Sequence, residues 1–257
     1  ATHNNDRRFF SEPDIVRASI TETIDTGMVD DGGKAIIVQQ DIPYDAILIG
    51  SGDKTNPLNN NNDDAFFMIK DINIRSRQLT SSTTPAIPDP IKINDLADYT
   101  NNPFGDVLTT QEREALSLQV SLKSGWFIDL NLSGEKSTSA SIVINNQVNF
   151  TTYTPPSEVG GVCEVINGQG WLYTVDLALG INKYNTSDSP PNDGLVSDRK
   201  TFISEQFLGT PTLVITDKTN TETGVIEAVG NIIVGRKLID DAFQLQTMRT
   251  YLTVDEP

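Results

Sequence analysis

Apolar residues fall in short runs set between long polar stretches. Tyr44–Gly50 reads YDAILIG and Ala65–Ile69 reads AFFMI. Between them lies SGDKTNPLNNNNDD, made of turn and loop residues. The pattern predicts a strand, a long loop and a second strand, with too many residues between them for a tight hairpin. Residues 80–90 are rich in Ser, Thr and Pro and read as a surface excursion; 91–103 has no clear pattern. Thr110–Leu122 carries the one good helical pattern, with Ala115, Leu116, Leu118 and Leu122 as an imperfect apolar stripe. Thr109 or Thr110 is placed to cap it, and Glu112 and Glu114 lie in its first turn.

From Gly125 onward the chain becomes regular. GWFIDLNLSGEK predicts a strand and then a turn at Ser133-Gly134. Ser141–Ile144 and Val148–Tyr153 predict two strands around a turn at Asn145-Asn146. An irregular loop at 155–170 leads into WLYTVDLALG, a strand ending in a turn. TPTLVIT at 210–216, TGVIEAVGNIIVG at 223–235 and Met248–Val254 complete the predicted strands. The recurring unit closes with an aromatic strand and Asp-x-x-x-Gly, seen as Asp176 to Gly180. The Asp is suited to accept backbone N–H bonds, and the Gly to adopt φ > 0.

This pattern predicts an all-β chain. Short strands at even spacing with a repeated Asp/Gly turn predict β-propeller blades of four-stranded antiparallel sheets, with one short helical insertion. Residues 1–257 hold roughly three to four blades' worth of chain, fewer than a closed ring usually needs. The expectation is therefore the carboxy-terminal part of a propeller, with further blades and an amino-terminal domain upstream. Ala1 in place of an initiator Met fits a fragment or a processed product.

Composition strengthens the β reading. The apolar fraction is 37%, and Asn, Thr, Ser and Asp, which favour turns and strand surfaces, fill much of the remainder. The 35 acidic and 19 basic residues give a net charge of −16. That field repels nucleic-acid phosphates and anionic lipid, so no nucleic-acid binding through a basic patch is expected. No apolar stretch of about 18 residues is present to form a transmembrane helix, and no signal peptide is evident. The single Cys163 and single His3 make a Cys/His nucleophile pair, a His-based zinc site and a Ser-His-Asp triad poor expectations.

Several polar clusters qualify as candidates. Asn59–Asp64 reads NNNNDD, oxygen-rich chemistry that suits a hard cation. The EF-hand ligand spacing is absent, so Asp63 and Asp64 stand as weak metal candidates against a solvated loop. Asp188–Asp193 is weaker still, and Asp30-Asp31-Gly32-Gly33 reads as a turn. Gly50-Ser51-Gly52 lacks the third Gly and following helix of a dinucleotide cradle; it reads as a strand-end turn with close backbone packing. Trp126 and Trp171 open predicted strands, either to pack between blades or to offer a sugar-stacking platform.

Four stretches together resemble the PilC/PilY family of type IV pilus tip-associated biogenesis proteins and adhesins. They are DRRFFSEPDIV at 6–16, YDAILIGSGDKTNPL at 44–58 with FFMIKD at 66–71, GWFIDLNLSGEK at 125–136, and VNFTTYTP at 148–155 followed by WLYTVDLALG at 171–180. The motif residues are Arg7, Arg8, Phe9 and Phe10; Tyr44, Asp45, Gly50, Ser51 and Gly52; Gly125, Trp126, Asp129, Gly134, Glu135 and Lys136; and Trp171, Asp176 and Gly180. Order and approximate spacing match from about residue 6 to 254.

The resemblance implies a non-enzymatic, quinoprotein-like propeller at the pilus tip of a Gram-negative bacterium, extracellular or associated with the outer membrane. It implies roles in pilus biogenesis (opposing retraction), surface adhesion and twitching motility. Implied partners are pilins and minor pilins, a host or abiotic surface, and the remaining blades. Calcium in such proteins sits in a loop upstream of the DRRFF motif, so no cofactor is assigned to this chain, and the family's Arg-Gly-Asp tripeptide is absent. In this setting Cys163 either pairs with an upstream cysteine or stays free. Two alternatives remain: a carbohydrate-binding or scaffolding propeller, and a quinoprotein-like dehydrogenase, which would want a vicinal cysteine pair that this chain lacks.

Overall fold

A computed structural model describes residues 7–29, 32–33, 35–74, 89–104, 108–156, 167–181, 199–219 and 226–244. The chain is mostly β, arranged in several antiparallel sheets with one α-helix among the described residues.

The first sheet has five strands in the order β1-β2-β3-β5-β4. β1 (Asp14–Val29) and β2 (Ala35–Gly50) form a long antiparallel hairpin. β3 (Ala65–Asp71) pairs with β2 and with β5 (Gly125–Asp129), and the two-residue β4 (Ala97–Asp98) lies parallel to β5. Alternation sorts the two faces. Tyr44, Ala46, Leu48, Phe66, Met68, Trp126 and Ile128 point to one side and are buried. Ile47, Ile49, Ile69 and Phe127 occupy the other face and are half-buried.

The second sheet runs β10-β9-β8-β6, with β7 also on β8. Its strands are β6 (Lys136–Ser137), β7 (Ile142–Ile144), β8 (Gln147–Thr154), β9 (Gln169–Asp176) and β10 (Lys200–Ser204). Asn145 and Asn146 make the β7–β8 turn with φ of 50° and 63°, the double left-handed geometry of a tight hairpin. β11 (Thr212–Thr219), β12 (Ile226–Val234) and β13 (Lys237–Gln244) form a three-stranded third sheet.

The three sheets pack in chain order. The inner face of the first meets Val148, Phe150, Tyr173 and Val175 of the second in one core. Leu172, on the opposite face of the second sheet, packs with Leu208, Ile232 and Val234 against the third. Aromatic rings run across the first seam: Phe66 stacks on Phe150 at 3.7 Å, Phe150 on Tyr173 at 4.8 Å, and Tyr99 on Trp126 at 5.5 Å. Aromatic pairs with centroids about 4.5–7 Å apart, as in the last two, add to simple area burial.

The helix α1 spans Thr110–Ser121. Thr109, rather than Thr110, caps it, in a reciprocal box with Glu112. No helix residue is buried, and Leu116 and Val120 rest against the first-seam core.

Strand counts depart from a uniform four per sheet. The seven-residue prediction at 44–50 is the end of the longer β2 and the five-residue one at 65–69 the start of β3, because the earlier part of β2 interleaves Gln, Asp and Pro with apolar residues and β3 closes on Lys70-Asp71. β13 was not foreseen, and the predicted strand Met248–Val254 lies outside the described residues. His3, Cys163, Asp30-Asp31, Asp188–Asp193 and most of 80–90 also lie outside them.

Candidate functional site

The motif residues of 50–52, 126, 134–136 and 176–180 converge on the first seam, where two polar staples tie the sheets together. The first is built on the Gly50-Ser51-Gly52 turn. Ser51 exchanges backbone bonds with Ala65 and Ser137, while its hydroxyl donates to Asp64 at 2.7 Å and accepts from the Ala65 amide. A Cβ on Gly50 would overlap the Ser137 side chain, and one on Gly52 would overlap the Ser137 carbonyl and Lys136. Glycines flank Ser51 because β6 lies directly on the turn.

Gly134, Glu135 and Lys136 face both ways across the seam. Gly134 adopts φ +69° against Asn60 and Pro155. Lys136 turns toward the first sheet, where its Nζ donates to the carbonyls of Pro57, Asn59 and Gly134. Burial pulls its ammonium below the ordinary lysine range, and the charges of Asp64 and Asp53 oppose that shift. Glu135 turns toward the second sheet and has no exposed surface. Its carboxylate accepts from Thr152 Oγ1 at 2.6 Å and from the Leu132 amide, and pairs with Lys200 at 3.5 Å. Lys200 lies over the rings of Trp171 and Tyr173. Burial and the Glu135 charge push the Tyr173 phenol far above its usual range.

The second staple is the Asp176–Gly180 turn. Asp176 Oδ1 accepts from the Ala178 and Leu179 amides, and Gly180 takes φ +63° over the Tyr99 ring. Trp126 Nε1 donates to Leu177 O at 2.8 Å, and Tyr99 Oη to Ala178 O at 3.0 Å. Arg199, 1% exposed, donates to the carbonyls of Tyr99, Thr100 and Gly180. Desolvation draws its guanidinium down to about 10.

The amino-terminal motif straps the outer face of the first sheet. Arg7 donates to Asp63 O, lies 3.5 Å from Asp129 and sits over Phe67; Phe9 packs on the same ring. Arg8 pairs with Asp53 at 3.0 Å, and its carbonyl accepts from Gly52 N. Phe10 is 45% exposed. The Thr55 hydroxyl, ahead of other neighbours, holds the Asp53 carboxyl below its ordinary range. Asp45 pairs with Arg17 at 3.1 Å, and buried Tyr44 lies on the seam side of β2.

The two metal candidates separate here. Asp64 is 2% exposed, and desolvation raises its pKa although Ser51 and Lys136 favour the charged form. Asp63 offers its carbonyl to Arg7. The loop is thus drawn onto the protein at Asp64 rather than solvated throughout. Among the described residues no three His, Cys, Asp or Glu side chains gather closely enough to hold a metal ion. Trp126 is seam packing; Trp171 is half-buried, meets Phe202 edge-on at 5.6 Å and has Lys200 over its ring. A cleft of about 530 Å³ lies beside Ile47, Ile69, Ile72, Ile91 and Leu122, rimmed by Lys123 and Asp89.

Arg199 and Lys200 were missed by sequence reasoning. Their acceptors are mostly backbone carbonyls far away in sequence, which leave no motif. No helix among the described residues is long and apolar enough to cross a membrane. No protein-family model, curated protein or solved structure matches this chain.

Proposed function

We propose that this chain is part of a non-enzymatic module of a type IV pilus tip-associated protein of the PilC/PilY kind, with its sheets forming blades of a quinoprotein-like propeller. In this reading it supports pilus biogenesis by opposing retraction, and it serves adhesion and twitching motility outside a Gram-negative cell. Its partners are pilins, minor pilins and a host or abiotic surface. Calcium, where the full-length protein uses it, belongs to an upstream loop.

One observation carries the reading. Many of the residues on which the resemblance rests knit adjacent sheets: Gly50 to Gly52, Trp126, Gly134 to Lys136, and Asp176 to Gly180. Their spacing therefore has a physical purpose in a stack of sheets. Sheets packed face to face in chain order suit consecutive blades. The half-buried Ile47, Ile49, Ile69 and Phe127 on the outer face of the first sheet suit contact with a further blade. At the seam, Glu135 is answered by Thr152 and Lys200, and Lys136 by three backbone carbonyls, an arrangement that suits a scaffold.

Deletion of the gene tests the proposal. The expected result is loss of surface pili, twitching and attachment, restored by the wild-type gene. Unchanged piliation, twitching and attachment in the deletion strain would overturn it.

A further inference from the structure

A lysine ammonium leaves water at high cost unless its donors and charge are answered. Lys136 is 1% exposed. Its three N–H donors have three acceptors: Asn59 O and Gly134 O at 2.8 Å, and Pro57 O at 3.1 Å. All three are backbone carbonyls, two from the 53–64 loop and one from the turn facing it. Asp64 and Asp53 supply negative charge nearby. Carbonyl oxygens in a carboxylate field are the donors proteins offer to bound cations. Here the cation is covalently attached.

We propose that the 53–64 loop is folded around a cation, that the tethered Lys136 ammonium is that cation, and that removing its side chain leaves a binding site for a primary alkylammonium ion. The geometry selects this ligand over calcium. The N···O distances of 2.8–3.1 Å are hydrogen-bond lengths, longer than the roughly 2.3–2.6 Å of calcium–oxygen contacts. Three acceptors match three ammonium protons and fall short of the 6–8 oxygens calcium takes. Contacts other than those of the lysine also hold the cage. Gly134 is wedged against Asn60 and Pro155, while Ser51 fixes Asp64. This inference is independent of the pilus reading, since it concerns only the loop and its cation.

The test is thermal unfolding of Lys136→Ala at constant ionic strength, with propylammonium or tetramethylammonium chloride. Propylammonium replaces the three deleted methylenes and the ammonium; tetramethylammonium has the same charge and no N–H donors. The variant is expected to lose about 6–12 °C in Tm. Propylammonium should restore at least half of that loss saturably, tetramethylammonium should not, and neither should move the wild type. No restoration, or equal restoration by both salts, would overturn the proposal. Should the variant not fold, wild-type protein labelled with 15N-lysine gives a second reading. One ammonium resonance protected from solvent exchange is expected, absent in Lys136→Arg. A wild-type spectrum with no protected ammonium would equally overturn it.

Discussion

The seam between the first and second sheets and the seam between the second and third are built differently. The first buries a stacked aromatic core and carries charged and hydrogen-bonded staples: Glu135, Lys136, Arg199 and the indole of Trp126. Among the described residues the second rests chiefly on Leu172, Leu208, Ile232 and Val234, with one bond from the Thr151 hydroxyl to Gly209 O, while Leu213, Ile215, Ile233 and Leu238 of the third sheet remain at least 37% exposed. Apolar burial alone fixes neither register nor orientation closely, whereas directional bonds in a dry seam do. The first seam is therefore the specified joint, and the second is the looser one.

The largest effect should come from Trp126→Ala, which deletes the centre of the aromatic stack and one staple bond. A loss of about 4 kcal/mol is expected, read by denaturant unfolding, with the first two sheets losing protection together in hydrogen exchange. Loss confined to the first sheet would break the idea of a shared joint. Glu135→Ala comes next. It leaves Lys200, Thr152 and the Leu132 amide without their carboxylate, and about 3 kcal/mol should be lost. A cost under 1 kcal/mol would show that the staple contributes packing and little else.

Ile232→Ala probes the looser seam. About 2 kcal/mol should be lost locally, with faster amide exchange in β11–β13 and little change in β2, β3 and β5. Uniform acceleration over all three sheets would erase the contrast between the seams. The smallest effect concerns pH. Burial raises the Asp64 pKa above its ordinary 3.8. A carboxyl with a raised folded pKa contributes stability that is complete below the unfolded pKa and is lost as pH rises through the folded value. Asp64→Asn keeps an acceptor for Ser51 and does not titrate. Its stability relative to wild type should therefore improve as pH rises from just below 3.8 upward, measured by urea unfolding. A relative decline over that window would mean that attraction to Lys136 and Arg7 outweighs desolvation.

The sequence carried much of this architecture where local chemistry was strict. Asn145-Asn146 marked a turn, Asp176 to Gly180 a capped one, and Thr109 or Thr110 with Glu112 a helix start; each is found there, the Asn pair left-handed and Thr109 the cap. The close approach at Gly50-Ser51-Gly52 was legible for the same reason. β1 was not, because Thr, Ser and Glu dilute its alternation, and β13 sets its apolar residues in adjacent pairs around Asp240-Asp241 instead of alternating them. Lys136 was visible as a motif residue, but its acceptors are carbonyls, and every residue has one. Arg199 illustrates the limit best: its partner Tyr99 is 100 positions away, a pairing that only the folded chain specifies.

The amino-terminal strap has a mechanical consequence. Tension reaching Arg7 along the backbone meets the Arg7–Asp129 pair, the Arg8–Asp53 pair and the Gly52 N to Arg8 O bond within two residues. Those attachments sit on different strands and loops of the first sheet, so a pull spreads across its width before it can peel β1 from β2. The strap behaves as a strain relief, like the clamp that keeps a tug on a cable from reaching the solder joint.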